Sequence, residues 1–173
     1  LWDYLLKAHV ENGLVDCDGL ARDHLFRTYV RQLGAARPCA LETKGEQLAF
    51  YCNAYNALVA NGVVTHRVRD SVIMFRHEGL GFFDAKEHIV AGKTMSLNDL
   101  EHKLIRPTFG DPRVHFALVC AARGCPPLRP EAYCGRCLDI QLDDQTARFC
   151  NDPKSVSFDA ARGTVTLSPI LKW

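Results

Sequence analysis

A histidine and a cysteine flank one apolar stretch of the chain, and they could form a base and its nucleophile. His115 precedes the run 116–122, and Cys125 follows it directly before Pro126 and Pro127. Thiol catalysis needs a thiolate, a base that takes its proton, a group that orients the base, and donors for the developing oxyanion. Because the two prolines lack backbone donors and keep the preceding residue extended, we expect the thiol at a rigid strand exit.

The pattern around these residues predicts a buried strand. Residues 114–122 are apolar except for His115 and are bounded by turn residues, although a buried helix has the same pattern. Ten residues of extended chain would separate His115 from Cys125 by about 30 Å, so they can meet only if the chain doubles back. His102, which adjoins Glu101, is therefore a second candidate for the base. If Cys125 is the N-cap of a following helix, the helix dipole would lower the pKa of its thiol.

A long apolar helix is predicted over residues 46–60, and its few polar side chains supply the remaining candidates. Apolar residues cover almost its whole circumference, so it should be buried and should end at the Asn61-Gly62 pair. Glu46 and Asn53 lie two turns apart on nearly one stripe. Glu46 could orient either imidazole, and the Asn53 amide could help the nucleophile's own N–H to bind the oxyanion. The alternative is that such side chains tie down loops, since an unpaired buried polar group costs about 1–3 kcal/mol.

The other elements alternate between helices and hairpins. A capping box at Ser96 and Asp99 should begin one helix, which should end before Pro107. This order favours one α+β domain over residues 1–173, with helices packed on a small, mostly antiparallel sheet. The predicted elements are helices over 1–10, 20–33, 97–105 and 138–150, and hairpins over 88–95 and 158–167.

The composition is that of a globular chain with a sizeable core. Hydrophobic residues make up 47% and charged residues 24% of 173 residues, which excludes a disordered chain. The net charge of +1 and the absence of a phosphate loop give no reason to expect nucleic acid or a nucleotide. No apolar run approaches about 18 residues, so we expect no transmembrane segment.

Eight cysteines permit disulfides without implying them. Cys134 and Cys137 have the spacing of a redox pair or of half a zinc site. A zinc site would need two further ligands, and no second pair has this spacing, so we predict neither a metal nor another cofactor. The remaining cysteines apart from Cys125 lie among apolar neighbours and are interpreted as small buried hydrophobic residues; they are Cys17, Cys39, Cys52, Cys120 and Cys150.

Three long motifs resemble the signature blocks of the domain-of-unknown-function 547 family, DUF547. They are EQLAFYCNAYNA at 46–57, SLNDLEH at 96–102 and HFALVCAARGCPPL at 115–128, and residues 139–152 and 167–173 resemble the closing blocks. The resemblance implies a fold like that of papain-like cysteine peptidases and transglutaminases. The chain departs from the family pattern at Gly124, Cys52, Cys134 and Cys137.

Residues and resemblance together predict a cysteine-dependent hydrolase or acyl transferase acting on an amide, a peptide or a thiol compound. Cys125 would be the nucleophile and His115 or His102 the base. A non-catalytic module that binds a peptide or protein in the same pocket is the alternative, and a zinc or redox module is a third. The chain begins at Leu1, which indicates a processed or trimmed sequence. Since some bacterial members of the family are exported, export with a removed signal segment is one expectation, and the compartment stays open.

Overall fold

The computed structural model describes residues 1–122 and 124–172. Arg123 and Trp173, which belong to two of the predicted motif blocks, lie outside the described residues. The described α-helices are α1 Trp2–His9, α2 Cys17–Arg22, α3 His24–Ala35, α4 Lys44–Thr65, α5 Arg106–Phe109, α6 Val114–Ala117 and α7 Leu138–Asn151. A π-helix covers Asp99–Ile105, and 3₁₀ helices cover Pro38–Ala40 and Pro169–Lys172.

The strands form separate hairpins. Each described strand pairs antiparallel with its neighbour in sequence, so the predicted α+β class is confirmed, but the single small sheet is wrong for the described residues. The predicted hairpin turn at Ala91 and Gly92 is confirmed, and the positive φ angles of these residues, 50° and 76°, suit a two-residue turn. The pairs are β1 Val10–Glu11 with β2 Leu14–Val15, β3 Arg76–His77 with β4 Leu80–Gly81, β5 His88–Val90 with β6 Lys93–Met95, and β7 Val156–Asp159 with β8 Thr164–Leu167.

Helix α4 is the central element of the core. A capping box begins it, in which the Thr43 hydroxyl accepts the Glu46 N–H at 3.1 Å and the Glu46 carboxylate accepts the Thr43 N–H at 3.0 Å. The predicted end at Asn61-Gly62 is wrong, because the helix continues to Thr65. Gly62 serves close packing instead: a Cβ there would lie 2.8 Å from Cζ of Phe82.

The main hydrophobic core surrounds α4 on most sides, as the apolar circumference of this helix predicts. Cys52 is fully buried there, but Cys39 is exposed, so its interpretation as a buried hydrophobic residue is wrong. A smaller cluster contains Phe116 of α6, Phe149 of α7 and Ile170 of the last 3₁₀ helix. The largest fully buried side chains of the main core are Leu5, Leu6, Leu20, Phe26, Leu33, Leu58, Val59, Leu97, Leu100, Ile105 and Leu142.

The helix before the candidate site begins as predicted but ends differently. The Ser96 hydroxyl accepts the Asp99 N–H at 3.0 Å and Asp99 accepts the Ser96 N–H at 3.4 Å, which confirms the capping box. The predicted end before Pro107 is wrong, because the π-helix continues directly into α5 with this proline in the first turn. Within this continuous helix the proline removes one main-chain hydrogen bond, and the wider π-helical turn lies directly before it. In the part of the chain that the structure describes, no helix has the length and apolar character to cross a membrane.

Candidate functional site

The segment between the two predicted catalytic residues is a short helix followed by a turn. The predicted strand over 114–122 is wrong: Val114–Ala117 is helix α6, and residues 118–122 form neither helix nor strand. The buried side-chain amide of Asn56 binds backbone groups of this segment, as a neighbouring strand would. Its Nδ2 donates to the Ala117 carbonyl at 2.9 Å, and its Oδ1 accepts the Val119 N–H at 3.0 Å. A polar residue on an otherwise apolar helix was the sequence signal for this contact. The sequence did not indicate that the partners of Asn56 would be Ala117 and Val119.

The chain turns back on itself after α6, between Cys120 and Cys125. Ala121 has a left-handed φ of 51°, and Cys120 and Cys125 form a disulfide with their Cα atoms 6.0 Å apart. The interpretation of Cys120 as a simple buried hydrophobic residue is therefore wrong. Cys125 is half-buried and packs against the Phe116 cluster. Neither sulfur of this pair is a thiolate in the oxidised form.

A small cavity brings His115 and Cys120 together. Its volume is about 40 Å³, which holds a few water molecules rather than an amino-acid side chain. Four separate elements contribute to its wall, so only the folded chain assembles it. The lining residues are Tyr55 of α4, Glu101 of the π-helix, His115 of α6, Leu118, Cys120 and Ile170.

Hydrogen-bond partners on both sides set the orientation of the His115 ring. Nδ1 lies 2.5 Å from Nη2 of Arg106, and Nε2 lies 2.7 Å from the Ile170 carbonyl oxygen. A guanidinium can only donate and a carbonyl can only accept. These contacts therefore assign a neutral imidazole with its proton on Nε2 and its lone pair on Nδ1.

A carboxylate and a phenol complete the polar wall of the cavity. Arg106 also pairs with Glu101, whose Oε1 lies 3.1 Å from Nε and 2.9 Å from Nη2. Burial, the negative charge of Glu101 and a hydrogen bond with Glu101 raise the pKa of Tyr55 well above its ordinary value. Tyr55, Glu101, Arg106 and His115 thus form one connected network. The roles of Tyr55 and Arg106 were missed, because nothing in their spacing indicates a shared site.

Four predicted site residues do not line this cavity, and the predicted nucleophile Cys125 is one of them. His102 is exposed on the π-helix, whereas its neighbour Glu101 faces Arg106. Glu46 caps α4 and bonds Thr43 rather than an imidazole. Asn53 donates to the Tyr133 carbonyl at 2.8 Å and accepts the Tyr133 N–H at 2.9 Å. The loop-tying alternative therefore describes Glu46 and Asn53 in this structure.

The expected oxyanion donors and helix cap around Cys125 are also arranged differently. The Cys125 N–H donates to the Ala122 carbonyl at 3.0 Å, and the Asn53 amide is bonded to Tyr133. Residues 126–129 are not helical, and the next helix begins at Leu138. Cys125 is therefore no N-cap, and a helix dipole does not act on its sulfur. Among the described residues, no group of three or more potential ligands could hold a metal ion.

Comparison with protein families agrees with the resemblance. The family model described as "Protein of unknown function, DUF547" matches residues 40–150, which is more than half of the chain. The chain belongs to the DUF547 family. The matched region includes Glu101, Arg106, His115 and both disulfide cysteines, while Ile170 lies beyond it. Neither a curated protein nor a solved structure matches this chain.

Proposed function

We propose that the chain is a cysteine-dependent hydrolase or acyl transferase whose site is the His115 cavity. The observation that supports this proposal is that an imidazole and a sulfur of the Cys120–Cys125 pair line one cavity. A thiol beside an imidazole is the usual pairing for nucleophilic catalysis by cysteine. The substrate class is an acyl compound, either an amide or peptide or the thioester of a thiol compound. A papain-like core stays a prediction from the family resemblance.

The proposed reaction begins with reduction of the disulfide. A dithiol reductant transfers two electrons to Cys120–Cys125 and leaves two thiols beside the cavity. One thiol loses its proton to His115 and attacks the acyl carbon, and the leaving amine or thiolate takes that proton back. The resulting thioester passes its acyl group to water or to a second nucleophile. Cys125 is the nucleophile expected from the sequence, and Cys120 is the cysteine that lines the cavity.

The oxidised structure represents the resting form in this proposal. The only lone pair of the neutral His115 ring faces Arg106, and its N–H is bonded to the Ile170 carbonyl. The ring must exchange one of these partners before it can accept a proton from a thiol. Tyr55 lines the same cavity, and its hydroxyl must leave the Glu101 carboxylate before it can donate to a developing oxyanion. Ile170 lines the cavity and its carbonyl binds His115, so breaking this contact would both release the imidazole and enlarge the space for a substrate.

The test compares reduced and oxidised protein with p-nitrophenyl acetate as the acyl probe. We expect a larger burst of nitrophenolate after reduction, and an acetyl group on Cys120 or Cys125 after reduction only, because the exposed free cysteines can react in both forms. His115→Ala should slow acylation by about a hundredfold or more, the usual contribution of a positioned base. Cys120→Ala and Cys125→Ala identify the nucleophile, since only one variant should lose the acetyl adduct. Cys39→Ala, which changes an exposed cysteine elsewhere, is the matched control.

The rival function predicts different results in the same assay. A module that only binds a peptide would acquire no acetyl group on either cysteine of the pair, whatever its redox state. Equal acetylation of the wild type and His115→Ala would also refute the proposal, because the imidazole would then have no part in the reaction.

A further inference from the structure

A second pair of cysteines lies outside the His115 cavity. Cys134 and Cys137 are both exposed, and their sulfur atoms lie 3.1 Å apart. The Cys137 N–H donates to the Cys134 carbonyl at 2.9 Å and closes the turn between them. Cys137 is also the N-cap of the 14-residue helix α7. The sulfurs are therefore close enough to bond with only a small movement.

The segment before this turn is fixed by buried and half-buried side chains. Both polar groups of the Asn53 amide bind the Tyr133 backbone, and the Ala132 N–H donates to Asp3 at 3.0 Å. The Cys134 N–H donates to Oε1 of Gln141, a buried residue of α7, at 2.9 Å. Since these contacts involve neither sulfur, they can hold the turn in the same place whether the cysteines are reduced or oxidised.

The turn also packs against the beginning of α4. A Cβ at Gly135 would lie 2.9 Å from Cα and 3.0 Å from N of Glu46, so a larger residue does not fit between the cysteines. The turn therefore lies at the N-terminal ends of both α4 and α7, where partial positive charge favours an anion. The charge of Glu131 raises the pKa of Cys137, whereas the charge of Arg136 lowers the pKa of both cysteines.

We propose that Cys134 and Cys137 form a reversible dithiol–disulfide couple that reacts with small-molecule or peptide disulfides, independently of the His115 cavity. Two exposed thiols held at bonding distance on a fixed turn are the arrangement this exchange requires. The two cysteines also differ in acidity. A hydrogen bond from Cys137, followed by backbone N–H groups of Cys137 and Arg136, lowers the pKa of Cys134, while its neighbour's sulfur raises the pKa of Cys137. Cys134 is thus the attacking thiolate and Cys137 the resolving thiol.

The exchange balances in two steps. The Cys134 thiolate attacks one sulfur of the external disulfide, forms a mixed disulfide and releases one thiolate, which takes a proton. Cys137 then loses its proton, attacks the Cys134 sulfur and releases the second thiol. The chain gives up two electrons and two protons, and one disulfide becomes two thiols. The oxidant is any low-molecular-weight disulfide of the glutathione type.

The test exposes the reduced chain to glutathione disulfide and maps each cysteine by mass spectrometry. In the wild type we expect a Cys134–Cys137 disulfide. In Cys137→Ser we expect stable glutathionylation of Cys134, because no resolving thiol remains. This modification should be at least about threefold faster than that of the exposed lone Cys39, since a lower thiol pKa raises the thiolate fraction more than it lowers nucleophilicity.

Three results would overturn the inference. The first is that Cys134 and Cys137 stay reduced in the wild type. The second is that Cys137 in the Cys134→Ser variant reacts as fast as Cys134 in Cys137→Ser. The third is that neither reacts faster than Cys39. None of these results depends on acyl transfer at the His115 cavity, so the two proposals fail or survive separately.

Discussion

Replacement of Asn56 by alanine tests whether one buried amide holds the His115 cavity in place. Asn56 is 2% exposed, and it bonds a carbonyl and an N–H on the segment between His115 and Cys120. The change removes both bonds and leaves the Ala117 carbonyl and the Val119 N–H unpaired. Both groups belong to buried residues, so water has little access to replace the lost amide.

The expected loss of stability follows from these two bonds. Each unpaired buried group costs about 1–3 kcal/mol, so partial relaxation still leaves a loss of about 2–4 kcal/mol in the free energy of unfolding. For a chain of this size, 3 kcal/mol corresponds to a fall in Tm of roughly 6–12 °C. Asn53→Ala is the matched control, because Asn53 lies on the same helix and also bonds one carbonyl and one N–H. Asn53 is half-buried, so water can replace it and the loss should be only about 1–2 kcal/mol.

Two measurements check this expectation. Urea denaturation followed by circular dichroism compares the free energies of unfolding of the two variants. Hydrogen exchange measures the protection of the Val119 amide, which should fall in Asn56→Ala and stay unchanged in Asn53→Ala. The reasoning is refuted if Asn56→Ala is no less stable than Asn53→Ala, or if the Val119 amide keeps its protection.

Two further predictions concern other buried contacts. Burial lowers the pKa of His88 below 6.5, and the charge of Glu87 partly offsets this effect. As the pH falls, the unfolded chain therefore takes up a proton at this histidine before the folded chain does. The free energy of unfolding should fall as the pH drops below 6.5 towards the lower pKa of the folded state. In urea titrations at several pH values, the free energy of unfolding of His88→Gln should depend less on pH than that of the wild type. The exposed His102→Gln is the control and should keep the wild-type pH dependence. The same pH dependence in both variants would contradict the assignment. Gly62→Ala should cost about 1–3 kcal/mol, since its new methyl group meets the buried Phe82 ring. Phe82→Leu should reduce that cost in a double-mutant cycle of thermal unfolding, and strict additivity of the two changes would count against direct contact.

Local signals predicted most of the regular elements correctly. The Ser96–Asp99 capping box, the Ala91-Gly92 turn and the helix ending near Cys150 depend on contacts within a few residues. The residues that make such contacts are close together in the sequence, so the sequence alone is sufficient to predict them. The errors arose where a distant partner decides the conformation. Helix α4 continues through Gly62, which packs against Phe82. Residues 114–117 are helical, and Asn56 binds the carbonyl of Ala117 and the N–H of Val119 just after it.

The candidate site divides in the same way. The sequence by itself determined the family and the α+β class, and the importance of the segment that carries His115 and Cys125 stays a prediction. Only the tertiary structure decided that Cys125 pairs with Cys120, that Arg106 and Ile170 bind the imidazole, and that Glu46 and Asn53 serve other contacts. The physical reason is range: a cap or a tight turn is complete within four residues, whereas the bond from His115 to Ile170 spans 55 positions and exists only after the helices have packed.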